Sequence, residues 1–570
     1  MKEEIKMTQE KTGGYISCIQ FNNGTSIDIS PNDIVIFVGP NNAGKSQSLK
    51  DIYALAEMKC PTTVIADIKI RKYTGKLTTL LDSISTGIYQ GHHMSYSVLG
   101  DKVAIHEFTE SLFPTDPYFN VFRTIFVANM DTSARLSICM PPQNTTRNAP
   151  KQHPIHYAAF DSAYRKWLSD NFKKAFGIEI TPNILNGASI PLCIGEPVLL
   201  NSAEYEDEQS RQEAYADIIS SYPQVQDQGD GIKSFTGILL YLMLDYYCTY
   251  LIDEPESFLH PPQARIMGQI IGETLSDQQQ AFIATHSEDI IKGLLETCPE
   301  RLKIIRITRD GDTNHFSVLN NDKFGEVWND PLLKHSNIMA SLFHKTVVLC
   351  ESDSDCQMYS IIENHIKQKK GKYSEALFIH CGGKHRMAKV IAALKALNVD
   401  VRVVPDLDVL NDEETFKGIL EASGIDWTLI QPDYKIIVSQ VQSGSRETIN
   451  RVSAKTAINT ILDKSTDANL STAEIKEIQE TIKTASRWEN IKKMGISAIP
   501  AGDATAAFGR LVKTIKAAGI HLVPVGELEC FIKEVGNHGP TWVNNVLEKY
   551  PDLDDTVYSK ITDFVTELRL

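Results

Sequence analysis

The sequence predicts an α/β protein made of two consecutive domains, each built on a parallel sheet, with helical insertions. A chain of 570 residues exceeds the roughly 250–300 residues that one hydrophobic core usually serves. Near the amino terminus a strand, a glycine-rich loop and a helix follow one another, as at the start of an α/β domain. From residue 345 to 405 the pattern is strand, helix, strand, helix, strand, which is the layout of a parallel sheet.

The first domain is predicted from runs of apolar residues between turn signals. Its predicted strands are Tyr15–Ile19, Ser26–Ile29, Asp33–Val38, Asn120–Ala128, Thr249–Ile252 and Ala281–Thr285. Its predicted helices are Ser46–Met58, Phe160–Phe176 and Gly231–Tyr247. Between residues 60 and 225 the pattern is less regular.

The second domain begins after Asn321–Ser336, a segment with Gly, Asn, Asp and Pro that we take as the boundary. The predicted domains are therefore 1–335 and 336–570. The predicted strands are Lys345–Cys350, Ala376–His380 and Val401–Pro405, and the predicted helices are Asp353–Lys367 and Lys384–Leu397. The charged segment Ala454–Lys493 is also predicted to be helical.

Composition narrows the class of protein. No run of about 18 apolar residues predicts a membrane helix, and the amino terminus lacks the apolar core of a secretory signal. The ten cysteines form no CxxC pair, which favours reduced thiols in a bacterial cytoplasm. A net charge of −15 argues mildly against nucleic-acid binding over the whole surface and leaves room for a local basic groove.

A phosphate-binding loop is the most specific motif. The residues Gly39, Pro40, Asn41, Asn42, Ala43, Gly44, Lys45 and Ser46 fit G-x-x-x-x-G-K-S/T between a strand and a helix. Glycines let backbone N–H groups close on phosphates, and the helix amino terminus adds a favourable dipole. Lys45 is expected to neutralise the β- and γ-phosphates of ATP, and Ser46 to supply an oxygen to Mg²⁺.

Two further motifs end apolar strands. Asp253 and Glu254 follow the strand at 249–252, where open α/β sheets bind ligands. We expect Asp253 to hold Mg²⁺ through its water shell and Glu254 to polarise the attacking water. His286 follows the strand at 281–285 and can reach the γ-phosphate.

Together these motifs resemble ABC-type ATPases, especially the branch of SMC and DNA-repair ATPases. The segment Gln228–Ser234 resembles the degenerate signature loop of the nuclease branch, and departs from the L-S-G-G-Q of transporters. The resemblance implies that two ATPase heads face each other across the nucleotide, so that the protein is at least a homodimer.

The second domain carries acids at strand ends. Glu351 ends one apolar strand, and Asp406 and Asp408 follow another, on a segment predicted to be extended so that both carboxylates point the same way. Hard oxygen ligands of this kind select Mg²⁺ or Mn²⁺. Glu527 and Glu529 follow a later strand and could complete a second metal position, since two ions are a known solution for phosphodiester hydrolysis.

This arrangement resembles the Toprim fold of topoisomerases, primases and certain nucleases. The glycine that usually follows the first acid is replaced by Ser352, and Asp355 matches the extra acid of the nuclease branch as a further metal ligand. An ABC-type ATPase followed by a Toprim domain resembles the OLD (overcoming lysogenization defect) family. Relatives include the Gabija nuclease subunit and retron-associated effectors.

The OLD resemblance implies several further properties. It implies a helical dimerisation insert in the ATPase, here near 150–215, and a homodimer or higher oligomer formed through heads and insert. It also implies a basic residue near the cleaved phosphate, for which Lys492, Lys493 and Lys533 are candidates. The resemblance further implies that the protein acts on DNA. It implies a possible partner in antiphage defence, either a protein of the same operon or a retron reverse transcriptase with its msDNA.

Two functions remain open from the sequence. The first is an ATP-regulated, metal-dependent DNA endonuclease of antiphage defence whose catalytic acids are Glu351, Asp406 and Asp408. The second is an ATP-dependent sensor or scaffold with an inactive Toprim site, which the serine at position 352 and the acidic net charge motivate. Cleavage of RNA, such as transfer RNA, is a variant that the residues do not distinguish.

Overall fold

The computed structural model describes residues 11–90, 93–196, 198, 200, 204–311, 313–319, 338–443, 451–465, 469–482 and 487–570. The chain forms two compact units, Met1–Gly325 (unit 1) and Glu326–Leu570 (unit 2). The boundary segment predicted at Asn321–Ser336 lies outside the described residues. Within the described ranges no helix is long and apolar enough to cross a membrane.

Unit 1 is a mixed α/β unit. Its strands are β1 Gly14–Phe21, β2 Ser26–Asp28, β3 Ile34–Val38, β4 Ile65–Lys72, β5 Ile88–Gln90, β6 His93–Val98, β7 Asp101–His106, β8 Val127–Met130, β9 Ile180–Pro182, β10 Leu192–Ile194, β11 Thr249–Asp253, β12 Gln280–Ala284, β13 Leu302–Asp310 and β14 Thr313–Val318. Its helices are α1 Lys45–Glu57, α2 Leu77–Ile84, α3 Glu107–Leu112, α4 Arg123–Phe126, α5 Thr132–Ser137, α6 Pro154–Phe160, α7 Ser162–Phe176, α8 Glu208–Ser220, α9 Asp230–Leu242, α10 Pro261–Thr274 and α11 Glu288–Thr297.

The central sheet of unit 1 has six strands in the order β14-β13-β3-β12-β11-β8. Its pairs are parallel except that β14 runs antiparallel to β13. Every residue of β3 and of β12 is buried, because both faces of the sheet are covered. The carboxyl ends of β3, β12 and β11 therefore lie side by side at one edge.

Unit 2 contains a three-stranded parallel sheet and a larger set of helices. Its strands are β15 Thr346–Cys350, β16 Ala376–His380 and β17 Asp400–Val404, in the order β16-β15-β17. Its helices are α12 Asp353–Lys369, α13 Met387–Ala396, α14 Glu413–Ala422, α15 Trp427–Ser443, α16 Arg451–Leu462, α17 Thr472–Ile482, α18 Arg487–Met494, α19 Asp503–Ala517, α20 Gly539–Lys549 and α21 Ser559–Glu567.

A later segment of unit 2 runs along β17. The Val403 N–H donates to the Gly519 carbonyl and the His521 N–H donates to the Val403 carbonyl, each at 2.8 Å. Ile520 forms a parallel bridge with Val403. Residues 519–521 thereby extend the sheet beyond β17 and carry the chain toward Glu527.

The core of unit 2 joins this sheet to the carboxyl-terminal helices. Trp542 on α20 is fully buried, and it belongs to one apolar cluster with Tyr359 on α12 and Phe564 on α21. The rings of Tyr359 and Phe564 lie 5.6 Å apart. This packing fixes α12, whose first turn follows the strand that ends at the acid site.

Several element predictions need correction. The predicted strand Asn120–Ala128 is wrong over most of its length, because the chain forms short helical turns before β8 starts at Val127. Most of its apolar residues, from Phe122 to Ala128, are buried in this irregular conformation, and a short apolar run does not distinguish it from a strand. The predicted helix Gly231–Tyr247 ends at Leu242, where the chain turns back to enter β11. The segment 454–493 contributes to three helices, α16 to α18.

Helices α10 and α11 pack unusually closely because glycines face each other. A Cβ on Gly293 would lie 2.1 Å from the Arg265 carbonyl oxygen, and one on Gly268 would lie 2.4 Å from that of Ile290. The clashing atoms are backbone atoms, which cannot rotate away. These glycines therefore set the distance between the helices that follow β11 and β12.

We predict that Gly293→Ala lowers the free energy of unfolding by about 1–3 kcal/mol, because the added methyl group must push α10 and α11 apart. Denaturant unfolding followed by circular dichroism measures the change. Gly509→Ala on α19 is the matched control, since its Cβ would meet no atom within 4 Å. Alanine favours a helix interior over glycine, so an equal loss of stability in both variants would contradict the packing argument.

Candidate nucleotide and metal sites

The phosphate loop of unit 1 connects β3 to α1. Gly39 and Gly44 have positive φ angles of 144° and 104°. A Cβ on Gly39 would lie 1.9 Å from the Ile307 carbonyl oxygen on β13, so only glycine lets the loop pass this strand. Asn41 and Asn42 are exposed at the tip of the loop. The predicted loop residues thus have the strand–loop–helix setting that a phosphate cradle requires.

Lys45 is buried although it carries a charge. Its ammonium donates to the carbonyl oxygens of Gly39 and Pro40, both at 2.8 Å. Burial lowers the pKa of Lys45 to about 8, and the carboxylates of Glu254 and Glu256 oppose that shift. A phosphate group would supply the negative charge that this buried ammonium lacks at hydrogen-bond distance.

Ser46 and Asp253 meet at the carboxyl edge of the sheet. Burial raises the pKa of Asp253, and a hydrogen bond with the Ser46 hydroxyl opposes the shift. The Oδ1 atom of Asp253 is buried and has no hydrogen-bond partner among the residues that the structure describes. A hydroxyl beside a carboxylate with a spare oxygen is the donor set expected for Mg²⁺ bound with a nucleotide.

Glu254 and His286 lie together at the neighbouring strand ends. The Glu254 backbone is left-handed, with φ of 48°, and its N–H donates to the Ala284 carbonyl at 2.8 Å. Glu254 Oε1 lies 3.9 Å from His286 Nε2. The His286 N–H donates to Glu256 at 2.7 Å. Burial and the Lys45 ammonium lower the pKa of His286, which favours the neutral ring.

Arg135 is a residue that no sequence motif marks, yet it holds the loop after β11. Its guanidinium is fully buried and donates to the carbonyl oxygens of Asp253, Glu254 and Met130. Its Nε donates to the Ser234 hydroxyl on α9 at 3.1 Å. The sequence did not predict this role, because Arg135 belongs to no motif and its partners come together only through tertiary packing.

The signature-like segment Gln228–Ser234 forms the entry to α9. The helix begins at Asp230, and a Cβ on Gly231 would lie 2.6 Å from the Phe258 carbonyl oxygen. Lys233 forms an ion pair with Asp230 at 2.8 Å. The predicted contact between the segment Gln228–Ser234 and the nucleotide of a second subunit stays a prediction.

In unit 2 the acids gather at the carboxyl edge of the sheet. Glu351 follows β15 directly, and Asp406 lies two residues after β17, which pairs with β15 in parallel. Asp408 lies in a one-turn 3-10 helix, so the prediction that both aspartates share an extended segment is wrong. One carboxylate oxygen from each of the three acids nevertheless lies within 4.8 Å of the other two. We call this set the first acid group.

The three residues of the first acid group are each half-buried, and their carboxylates lie close enough to repel one another. Burial raises the pKa of Glu351, and the nearby Asp408 adds to the shift. Burial, with Asp355 and Glu351 nearby, raises the pKa of Asp406 well above its usual value. The Oε2 atom of Glu351 is buried without a hydrogen-bond partner in the described part of the chain. Such a site requires a proton or a cation.

Lys384 approaches this group and was not among the predicted site residues. It follows Gly382 and Gly383, whose φ angles are 70° and 117°, in the loop after β16. The Gly383 N–H donates to the Glu351 carbonyl at 3.1 Å. Lys384 Nζ lies 3.1 Å from Asp408 Oδ1. The sequence feature that could have revealed Lys384 is a pair of glycines followed by a lysine, shortly after a predicted strand of the same sheet.

A second acid group contains Glu527, Glu529 and His538, whose ligand atoms also lie within 4.8 Å of one another. Glu529 accepts a hydrogen bond from the Gly539 N–H at 2.8 Å. Lys492 Nζ lies 3.1 Å from Glu527 Oε2. The structure thus brings Glu527 and Glu529 together and adds His538 to them. The sequence analysis missed this histidine because it lies further along the chain, outside the segment that contains the two glutamates.

Asp355 lies outside both acid groups. It is buried in the first turn of α12, where its carboxylate accepts from the Ser352 N–H at 2.8 Å. Burial raises its pKa to about 6, the bonds with Ser352 oppose this, and Glu351 and Glu529 add to it. Ser352 has φ of −124°, so this position does not require glycine. A role for Asp355 as a metal ligand stays a prediction.

The structure distinguishes among Lys492, Lys493 and Lys533, the three candidates for the basic residue near the cleaved phosphate. Lys492 lies at Glu527, which raises the Lys492 pKa although burial opposes it. Lys533 instead donates to the Lys493 carbonyl at 2.8 Å, and Lys493 pairs with Glu489. Of the three, Lys492 is therefore the one whose ammonium lies at an acid group in the described structure.

Comparison with known proteins finds one family match, in unit 2. Residues 342–408 match the family model described as "Overcoming lysogenization defect protein-like, TOPRIM domain". This match contains β15 to β17 and all three acids of the first group. No curated protein matches the chain.

Solved structures that resemble the chain are SMC heads. They include an SMC head bound to the C-terminal winged-helix domain of ScpA, with 13% identity and a TM-score of 0.34, over 55% of this chain and 100% of that one. The head domain from Thermotoga maritima has 14% identity and a TM-score of 0.28 over the same shares. A head with an extended coiled coil from Pyrococcus furiosus has 12% identity and a TM-score of 0.31, over 55% and 98%.

These features define the class of protein. Unit 1 places a phosphate loop between a central parallel strand and a helix, which is the setting predicted for a nucleotide site. In unit 2, residues 342–408 match an OLD-like TOPRIM domain. This match confirms the predicted TOPRIM domain, and the parallel sheets of both units confirm the predicted α/β fold class.

We predict that Lys384→Met tightens Mn²⁺ binding by about tenfold, because the ammonium at Asp408 competes with a divalent cation for the same carboxylates. Isothermal titration with Mn²⁺ at fixed ionic strength measures the affinity. Lys560→Met on α21 is the control, since Lys560 is exposed and belongs to neither acid group. Weaker Mn²⁺ binding in Lys384→Met alone would show that Lys384 supports the ion instead of competing with it.

Proposed function

We propose that this protein is an ATP-regulated, divalent-metal-dependent DNA endonuclease of the OLD type. The observation that carries the proposal is the convergence of Glu351, Asp406 and Asp408 at one sheet edge. Acids with no function are seldom buried together, because burial penalises each charge and each charge penalises the others. A second acid group in the same unit supports a site with two metal positions.

The residues present fit Mg²⁺ or Mn²⁺. The first acid group offers carboxylate oxygens only, and one Glu351 oxygen is buried without a partner among the described residues. Hard divalent cations prefer such ligands. When bound, an ion of this kind activates water and neutralises charge on the phosphate. The second group would hold its ion through Glu527, Glu529 and His538.

The remaining residues of the site have supporting tasks. Lys384 and Lys492 supply positive charge beside the two acid groups, where a phosphodiester would enter. The Gly383 N–H fixes the end of β15 through the Glu351 carbonyl, which orients the first acid. Ser352 and Asp355 cap α12 reciprocally and hold its first turn against the site.

ATP binding and hydrolysis are assigned to unit 1. Gly39, Gly44 and Lys45 would hold the phosphates, Ser46 and Asp253 would hold Mg²⁺, and Glu254 with His286 would act on the attacking water and the γ-phosphate. Paired heads would place Gln228–Ser234 of one subunit at the nucleotide of the other, and helices α6 to α8 would form the dimerisation insert. The assembly would be a homodimer or a higher oligomer.

A role in bacterial antiphage defence is the biological part of the proposal. It is supported by the OLD-like TOPRIM match and by the domain order. The cell compartment would be the cytoplasm, and a defence partner would be a protein of the same operon or a retron reverse transcriptase with its msDNA.

We predict that Asp406→Ala abolishes metal-dependent cleavage and leaves ATP binding unchanged, because the variant removes one of the three carboxylates that converge in the first acid group. Plasmid cleavage by the purified protein with Mg²⁺ or Mn²⁺, with and without ATP, measures the activity. The arms with and without ATP show whether the nucleotide accelerates or restrains the nuclease.

Asp353→Ala is the matched control, since Asp353 is an exposed acid on the first turn of α12. It is expected to cleave like the natural chain. Cleavage retained in Asp406→Ala and in Asp408→Ala would refute the nuclease. Transfer RNA and single-stranded RNA, tested beside DNA, decide which polymer is cut.

A second prediction concerns the ATPase. Glu254→Gln is expected to slow hydrolysis by about 10²–10⁴-fold and to leave ATP binding within about twofold, because the amide cannot accept the proton of water. Phosphate release and a fluorescent nucleotide titration measure the two quantities. Glu288→Gln serves as the control, since Glu288 is a half-buried acid in the first turn of α11 that pairs with Lys292. If both variants hydrolyse ATP at the natural rate, Glu254 is not the base.

A further inference from the structure

A cavity of about 900 Å³ lies in unit 2 at the edge of the sheet opposite the acid groups. Its walls come from the connection between α13 and β17, the carboxyl end of α19 and the last residues after α21. The cavity therefore lies at the amino-terminal ends of β17 and of the segment 519–521. The carboxyl-terminal ends of the same two segments lead to the acid groups. No residue of the nuclease or ATPase proposal lines this cavity.

The cavity is rich in positive charge. Five basic side chains and two carboxylates line it, an excess of three positive charges in a protein whose net charge is −15. The basic residues are Lys395, Arg402, Lys513, Lys516 and Arg569. The positive potential is therefore local and runs against the charge of the whole chain.

Ion pairs inside the cavity account for only part of this charge. Lys516 pairs with Glu567, and Arg402 pairs with Asp400 at 2.6 Å. Both carboxylates are thereby used. Among the described residues neither Lys513 nor Arg569 has an ion pair, so both ammonium and guanidinium groups are available to an anion.

Helix dipoles account for the position of one more lysine. Lys395 and Lys516 lie in the last turns of α13 and α19, where positive charge stabilises a helix, and Lys516 is already paired with Glu567. Lys513 lies outside the last turn of α19. Arg569 follows the C-cap of α21, where its left-handed backbone, with φ of 54°, closes the helix and its N–H donates to the Thr566 carbonyl at 3.3 Å. Capping therefore accounts for the backbone of Arg569 and leaves Lys513 unexplained.

His521 adds an unsatisfied group to the wall. It is buried, and its Nδ1 has no hydrogen-bond partner within the described part of the chain. Burial lowers its pKa to about 4; Glu567 opposes this, while Lys516, Arg402 and Arg569 add to it. The ring is therefore neutral at physiological pH and adds no positive charge to the wall of the cavity.

We propose that this cavity binds a small phosphate-bearing anion, with Lys513 and Arg569 as its principal ligands. The volume exceeds that of a single phosphate and accommodates pyrophosphate or a nucleotide. Arginine offers a planar fork to phosphate oxygens, and lysine offers a mobile point charge beside it. The site is separate from the phosphate loop of unit 1 and from the acid groups.

Titration calorimetry with pyrophosphate tests the proposal. The background is Lys45→Ala, because the phosphate loop would also take this probe, and thermal unfolding confirms that the background is folded. Lys513→Gln with Arg569→Gln is expected to weaken pyrophosphate binding by about tenfold or more. Lys417→Gln on α14, an exposed lysine away from the cavity, is expected to bind as the background does.

Hydrogen exchange provides a second readout that does not depend on any variant. Pyrophosphate is expected to slow exchange in residues 398–402 and 519–521, which line the cavity. Equal affinity in the double variant and the background would overturn the proposal. Binding of a 20-nucleotide single strand that the double variant loses, with no binding of pyrophosphate, would overturn it as well, since the cavity would then be a nucleic-acid contact.

Discussion

Parallel strands that end at a common edge are the constraint on which both units depend. In unit 1 the edge carries the phosphate loop after β3, Asp253 and Glu254 at the end of β11, and His286 after β12. In unit 2 it carries Glu351 after β15, Lys384 after β16 and Asp406 after β17. Residues more than fifty positions apart in sequence become neighbours because strand pairing in register fixes where each strand ends.

Charge balance is the second common theme. At each edge several carboxylates lie close together in half-buried positions, and each edge also has a cation nearby. Lys45 approaches the acids of unit 1, and Lys384 and Lys492 approach those of unit 2. A buried acid without such a neighbour would be costly to ionise. The lysines therefore allow the acid groups to exist before any ligand arrives.

Motifs in contiguous sequence predicted the fold and most of the candidate site. The phosphate loop, the acids after β11 and the acids after β15 and β17 were all recognisable because spacing along one chain segment decides their chemistry. Arg135, Lys384 and His538 were missed because their role depends on contacts between distant segments. The serine at position 352 imposes no unusual backbone, since its φ of −124° needs no glycine and its side chain caps α12, whereas the hypothesis of an inactive site that it motivated stays untested.

Arg135 couples two parts of unit 1. Its guanidinium donates to the carbonyl oxygens of Asp253 and Glu254 at the end of β11 and to the Ser234 hydroxyl on α9. One buried side chain therefore ties the backbone at these acids to a helix that is itself largely buried. A ligand that displaced this backbone would also act on α9, so that a change at the nucleotide site would reach the core of the unit through a single residue.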